Sequence, residues 1–323
     1  MKIIYYIYHT FRSFQNGNLF NYLQQEWAKY LKRKCYRTRQ RRKKNWELQA
    51  EKQEEEIEVT IQPSVRMRLY FDSDLCRLIY YGSFEYKERQ FLNTFLKPGD
   101  IFIDVGANIG LFTLTAAKLV GQSGHVYAFE PYTKTYNRLL DNVKLNRFYN
   151  VTCHNLALSD SIKQQGLIIS LDGFDAWNSL AKPINGEQFG VEMVETITWD
   201  NFVDKHNLIG KVRMMKIDVE GWEKYVLTGA DKTLSRGDAP TLQVEFNEAA
   251  SQVAGSSCKE LYHILEDFGY KLYTYEAKSK NIVAHPFQSN YPYHLNLIAT
   301  KTPETVKYRL KKATIPDIGV DYI

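Results

Sequence analysis

From Ile101 onward the chain alternates short apolar runs with segments of helical period, and no other feature restricts its fold so tightly. IFIDV, HVYAFE, VTCHN, VRMMKID and TLQVEF read as strands. Between them, Leu111 to Leu119, Thr133 to Leu145, Glu223 to Leu234 and Lys259 to Phe268 read as helices, and the strands YKLYTY and HLNLIAT close the pattern. Strict alternation of this kind predicts an α/β, doubly wound, mostly parallel sheet covered on both faces. A less regular insertion occupies 160–210, with a strand at Glu195 to Thr198 and a helix beginning near Asp200.

Upstream, Leu19, Tyr22, Leu23, Trp27, Tyr30 and Leu31 recur at helical spacing, and Lys29, Lys32 and Arg33 begin a charged face. This amphipathic helix runs into RTRQRRKKN and then a glutamate-rich stretch, Glu47 to Glu58, which predicts a charged linker. Val65, Met67 and Leu69 alternate with Arg66 and Arg68; with the apolar stretch Leu78 to Tyr81 they predict a small β lead-in. Phe84, Phe91, Leu92 and Phe95 then mark a helix ended by Pro98-Gly99. The expected organisation is a basic arm and linker over 1–60, a lead-in over 61–98, a core domain over 99–302 and a C-terminal tail over 303–323.

A chain of 323 residues with 44% hydrophobic content can bury a full core, and its net charge of +5 gives no whole-chain argument for nucleic acid. The four cysteines, Cys35, Cys76, Cys153 and Cys258, form no CxxC pair, so neither a disulfide framework nor a zinc site is expected. The apolar run Ile3 to Tyr8 is too short to span a bilayer and its basic residues follow it, unlike a secretory signal; the expectation is a cytoplasmic protein in a reducing compartment.

At the first turn of the sheet, the strand ends in Asp104 and is followed by Gly106, Asn108 and Gly110 before a helix. Such glycines let the backbone approach a ligand, and the helix N-terminus favours its negative end. The pattern G-A-N-I-G lacks the third glycine of a pyrophosphate-binding turn, which disfavours a dinucleotide. Glu130 ends the next strand, where an acidic side chain accepts hydrogen bonds from ribose hydroxyls. A nucleoside with a short amino-acid tail, as in S-adenosylmethionine, suits these features. The bland reading is a tight turn with a strand-end cap.

These residues carry a resemblance. GSFEYKERQFLNTFLKPGDIFIDVGANIGLFTLTAAKLVG, HVYAFEP, NVTCHNLALSD, ETITWDNF and KIDVEGWEKYVLTGA, in this order, resemble the FkbM family of methyltransferases from about Leu78 to Ala299. The resemblance implies a class I methyltransferase, Rossmann-like doubly wound seven-stranded sheet with its last strand pair antiparallel. Here it would carry an N-terminal helical and β extension. It also implies S-adenosylmethionine as cofactor and O-methylation of a hydroxyl on a sugar, glycolipid or secondary metabolite. By the same resemblance, Asp104, Gly106, Ala107, Asn108 and Gly110 would hold the methionine part and Glu130 the ribose, while Tyr132, Asn155, Leu156 and Ala157 would flank the adenine.

Methyl transfer to an aliphatic hydroxyl needs alignment and a base within hydrogen-bond reach. Asp218 and Glu220 of KIDVEG, with Glu245 at the end of VEF, fall at carboxyl ends of strands, which face the ligand crevice of an open α/β sheet. Asp218 is the first candidate base, Glu220 the second and Glu245 the third; helix capping or salt bridging is the rival use of each. Trp222 reads as packing, and His206, His285 and His294 as structural. No metal is expected, because an acidic-acidic-amide pattern at the strand ends is absent. The segment DGFDAWNSLAKPINGEQFG suits a polar lid in which Asn178 and Ser179 could meet acceptor hydroxyls, and equally an ordinary long loop.

The aromatic start (Tyr5, Tyr6, Tyr8, Phe11, Phe14), the amphipathic helix and the basic cluster together suit peripheral contact with an anionic membrane at the inner surface; a solvated helix or a homodimer contact is the alternative. The partners expected are thus a carbohydrate, glycolipid or small-metabolite acceptor. An RNA methyltransferase using the arm is disfavoured, since no NPPY-type strand end or paired catalytic cysteine is present. A catalytically silent cofactor-binding scaffold is the remaining rival, and retention of Asp104, Gly106 and Glu130 argues against it.

Overall fold

The computed structural model describes residues 17–52, 54–82, 84–170, 179–180, 189–289, 291 and 295–312. The chain divides into two compact units, Met1–Glu54 and Glu55–Ile323. In the first, α1 (Gly17–Ala50) is a single helix of 34 residues. It continues through the basic run and past the start of the predicted linker, because Lys, Arg, Gln and Glu are good helix formers and neither Gly nor Pro interrupts 18–50. The aromatic residues before Gly17 lie outside the described residues.

The second unit opens earlier than the predicted boundary. Ile57, Val59 and Ile61 alternate with polar residues, so β1 (Glu56–Gln62) pairs antiparallel with β2 (Val65–Tyr70). Leu78 to Tyr81, expected as β, is helical instead: α2 (Asp74–Tyr81) buries Leu75, Cys76, Ile79 and Tyr80, a spacing of three and four, and Ser73 caps it by accepting from the Cys76 amide at 3.1 Å. After α3 (Tyr86–Phe95), the predicted alternation follows as β3 (Ile101–Val105), α4 (Leu111–Val120), β4 (His125–Phe129), α5 (Thr133–Leu145) and β5 (Val151–His154). Asn142 and Asn146 of α5 bond the backbone of Arg68 and Arg66 and so dock the β1–β2 hairpin.

The insertion is more regular than its sequence predicts. β6 (Ala157–Leu158), β7 (Lys163–Ser170) and β8 (Phe189–Ile197) form a separate three-stranded sheet, and Thr198 caps α6 (Trp199–His206). Next come β9 (Val212–Ile217), α7 (Glu223–Thr228) and α8 (Asp231–Leu234). The single helix expected over Glu223 to Leu234 breaks at Gly229, where a Cβ would stand 2.0 Å from the Ser159 carbonyl oxygen. β10 (Thr241–Phe246), α9 (Glu248–Val253), α10 (Cys258–Asp267), β11 (Lys271–Glu276), β12 (Asn281–Ala284), β13 (Leu295–Thr300) and α11 (Pro303–Lys311) complete the chain. The predicted tail therefore begins with a helix, which buries Val306 and Leu310 and holds Arg309 against the Phe95 carbonyl at 2.9 Å and against Asp100.

The main sheet has the order β12-β11-β13-β10-β9-β3-β4-β5. β5, β4, β3, β9 and β10 run parallel, and β13 lies antiparallel between β10 and β11. This is the class I methyltransferase arrangement. It has eight strands rather than seven because β12 folds back on β11 through a turn at Lys280, placing Asn281 opposite Glu276. The core on one face is built from Phe129, Trp199, Phe202, Ile217, Val244 and Phe246, all nearly or fully buried. Strand order reverses between β3 and β9, and it is at this switch point that an α/β sheet opens a ligand crevice. Among the described residues no helix is long and apolar enough to cross a membrane.

Candidate active site

The crevice at this switch point leaves about 930 Å³ between its walls, open solvent included. Its floor is the turn after β3. The amides of Gly106 and Ala107 both donate to the Phe129 carbonyl at 3.0 Å, which draws the turn against the end of β4. Gly106 has φ +80, and a Cβ there would lie 1.9 Å from the Asp218 carbonyl oxygen, so only glycine lets the turn pass the end of β9. Asn108, at φ +48, bonds the next amide through its side chain. Gly110, at φ +98, starts α4 and would clash with Leu139 if it carried a Cβ.

Glu130 is buried, and its carboxylate accepts from the Asn108 amide at 2.8 Å, the Tyr132 amide at 3.0 Å and the Thr135 hydroxyl at 2.7 Å. One side chain thus joins the glycine turn to the start of α5. Gly106, Ala107, Asn108, Glu130, Leu156 and Ala157 line the pocket. Other residues expected in the lining stand behind it. Asp104, 1% exposed, accepts from the Thr113 hydroxyl at 2.6 Å; Gly110 shapes the helix start; Tyr132 packs its ring beside Ala157, Leu167 and Val194; and Asn155 donates to the carbonyls of Glu130 and Pro131. Their place follows from geometry, since a strand-end side chain that supports a turn points beneath it.

Another part of the lining is acidic. Asp218 and Glu220 line the pocket, and Glu245, 3% exposed, adjoins them with all three carboxylates within 4.8 Å of one another. This assembles the three-oxygen set whose strand-end pattern is missing from the sequence, and such a set is of a kind that divalent cations accept. Lys216, 3% exposed, places Nζ 2.6 Å from Asp218 Oδ2 and over the Phe112 ring. Burial opposes the charge on Lys216, yet Asp218, Glu85 and Asp104 outweigh it and hold the ammonium protonated well above its ordinary range.

The carboxylates shift the other way. Burial lifts Glu220 well above the ordinary carboxylate range, and the charges of Glu245 and Asp218 push it further. Glu223, at the start of α7, accepts from the amides of Val219 and Gly221; burial and then Glu245 raise it to about 8. Glu85, at φ +44 before α3, lines the pocket and is also raised, chiefly by burial, with Lys216 opposing and Asp218 adding to the rise. Burial thus favours the neutral form of Glu220, Glu223 and Glu85.

Lys216, Glu223 and Glu85 were not singled out in the sequence. Lys216 and Asp218 are two positions apart on one strand, a spacing that puts both on one face and was legible; for Glu85 no sequence signal pointed to the site. Trp222, expected as packing, stacks on Tyr225 and donates from Nε1 to Ser159 at 3.1 Å, and it also lines the pocket. Ser179 lines the pocket and donates to the Glu220 carbonyl at 2.7 Å, while Asn178 and His294 lie outside the described residues. His206 stacks on Phe202, and His285 is buried near Tyr291; neither lines the pocket.

The profile of the FkbM methyltransferase domain family matches residues 104–272, just over half of the chain. Methyltransferase 1 of Beauveria bassiana (strain ARSEF 2860) is 29% identical over 150 residues, which cover 42% of this chain and 60% of that one. Ribosomal protein L11 methyltransferase of Bacillus subtilis (strain 168) is 32% identical over 84 residues, 26% of this chain and 24% of that one. This chain therefore spans less than two thirds of either relative. Among solved structures, the FkbM methyltransferase of Methylobacillus flagellatus KT superposes with a TM-score of 0.41 at 14% identity, over 62% of this chain and 44% of that one.

Proposed function

Because the chain belongs to the FkbM methyltransferase family, whose methyl donor is S-adenosylmethionine, we propose that it methylates a hydroxyl of a sugar, glycolipid or secondary metabolite, with Asp218 as the acceptor-side base. The observation that carries this reading is that the Lys216–Asp218 pair lines the same pocket as the glycine turn and Glu130.

The lining fits the cofactor by the chemistry of its groups. Leu156, Ala157 and Phe129 offer an apolar slot for adenine, Glu130 an acceptor for ribose hydroxyls, and the carboxyl-rich wall a counter-field for positive charge. The turn amides are already bonded to Phe129, Glu130, Asn108 and Ala107, so the α4 N-terminus would hold the amino-acid carboxylate. When bound, S-adenosylmethionine supplies an activated methyl group, leaving the protein to align the acceptor. Asp218 takes the hydroxyl proton through the oxygen that Lys216 does not hold, and Lys216 orients the carboxylate. Glu220, whose neutral form burial favours, donates a hydrogen bond to a neighbouring acceptor oxygen. The apolar lining excludes water that would compete for the base.

The reading is tested by calorimetric titration with S-adenosylmethionine of the wild type, Gly106→Val and Glu130→Ala, followed by a radiolabelled methyl-transfer screen against glycan and lipid extracts. Saturable binding weakened in both variants supports it. A folded protein without binding would be a silent scaffold.

A further inference from the structure

Helix α1 carries an apolar series and a basic segment in succession. Between Leu19 and Leu31 apolar residues recur at helical spacing, and Tyr30 within that series is 55% exposed. From Arg33 to Lys44, eight of twelve residues are Lys or Arg and none is acidic. At 1.5 Å of rise per residue these charges fall within roughly 17 Å of helix. Arg42 is half-buried and the other seven are exposed. Because the helix runs unbroken from Gly17 to Ala50, the apolar series and the basic segment share one axis.

We propose that α1 docks the protein on an anionic lipid bilayer, with the apolar series set into the headgroup boundary and the basic segment against lipid phosphates. Charge complementarity selects a polyanion. The apolar series selects a bilayer over nucleic acid, because a nucleic-acid groove would engage the charges and leave the apolar residues in water. An apolar face or a basic cluster alone gives marginal, reversible attachment, whereas the two in succession sustain it. The inference does not depend on the methyl-transfer reading, since the residues it uses lie outside the pocket.

The test is flotation of the full-length protein with phosphatidylcholine vesicles, with and without phosphatidylglycerol. The wild type, Tyr30→Glu and the quadruple variant Arg37→Gln/Arg39→Gln/Arg41→Gln/Lys43→Gln are compared. Expected are binding to anionic vesicles only, its loss when salt is raised from ~0.1 to ~0.5 M, and a bound fraction reduced roughly tenfold or more in each variant. S-adenosylmethionine affinity and circular dichroism should stay unchanged in both variants, which separates lost docking from lost folding. Failure to float with anionic vesicles, equal binding to neutral ones, or undiminished binding by either variant would overturn the proposal. Retention of a single-stranded RNA oligonucleotide without vesicle binding would assign the helix to nucleic acid instead.

Discussion

Lys216 Nζ and Asp218 Oδ2 stand 2.6 Å apart at the carboxyl end of β9, the ammonium almost wholly buried and the carboxylate at the pocket wall. Removing one member of a buried pair leaves the other charged and uncompensated, at a cost of about 3–5 kcal/mol. Lys216→Met is therefore expected to lower the urea midpoint markedly. Asp218→Asn, which keeps the shape and removes the base, should cut methyl transfer by roughly 100-fold or more while S-adenosylmethionine still binds by calorimetry. Retained transfer in Asp218→Asn would move the base elsewhere.

Gly106 and Gly237 form a matched contrast. An added methyl at Gly106 meets the Asp218 carbonyl at 1.9 Å in a left-handed conformation, whereas at Gly237 it meets nothing within 4 Å. Gly106→Ala should lose several kcal/mol of stability (about 2 or more) and its cofactor binding, while Gly237→Ala stays within about 0.5 kcal/mol of wild type. Thermal melts of the two side by side decide it.

Glu223 gives stability a pH dependence of defined sign. Its pKa is raised from 4.5 to about 8, by burial first and Glu245 second, so between those values the folded state holds a proton that the unfolded state has released. Stability contributed by this neutral carboxyl is full below pH 4.5 and falls as pH rises toward 8. Glu220 and Glu85 act in the same direction. Denaturant titrations at successive pH values should show the decline, and Glu223→Gln, which keeps an acceptor for the Val219 and Gly221 amides, should flatten part of it. A variant as steep as wild type would discharge Glu223 from this role.

Thr135 donates one of the three hydrogen bonds that hold Glu130. Thr135→Val should weaken S-adenosylmethionine binding by about tenfold or less, in line with one charge-assisted bond of roughly 1.5 kcal/mol, and Glu130→Ala by more. Equal losses would mean that Glu130 acts only through the packing around Thr135.

Chelation tests whether the acidic wall works without a cation. Lys216 already pairs with Asp218, and burial favours the neutral form of Glu220, so EDTA is expected to leave methyl transfer within about twofold of the untreated protein. Strict dependence on added magnesium or manganese would instead make Asp218, Glu220 and Glu245 ligands.

The parallel strands, the glycine turn and Glu130 were legible in the sequence because each is specified within one βαβ unit by a local period or a φ that glycine tolerates. The same local rules misplaced Leu78 to Tyr81, where burial at 75, 76, 79 and 80 is a helical face that an apolar run does not distinguish from a strand. They also left the insertion irregular, because the β7–β8 register depends on pairing between segments well separated in sequence. What tertiary structure alone decided was the acidic wall. Asp218 and Glu245 come from different strands and Glu85 from a helix start, where burial raises its carboxyl and Lys216 opposes the rise. Sequence determines which groups stand at strand ends; only folding fixes how much water each loses and which charge it meets, and those two quantities decide which carboxyl is a base and which is an acid.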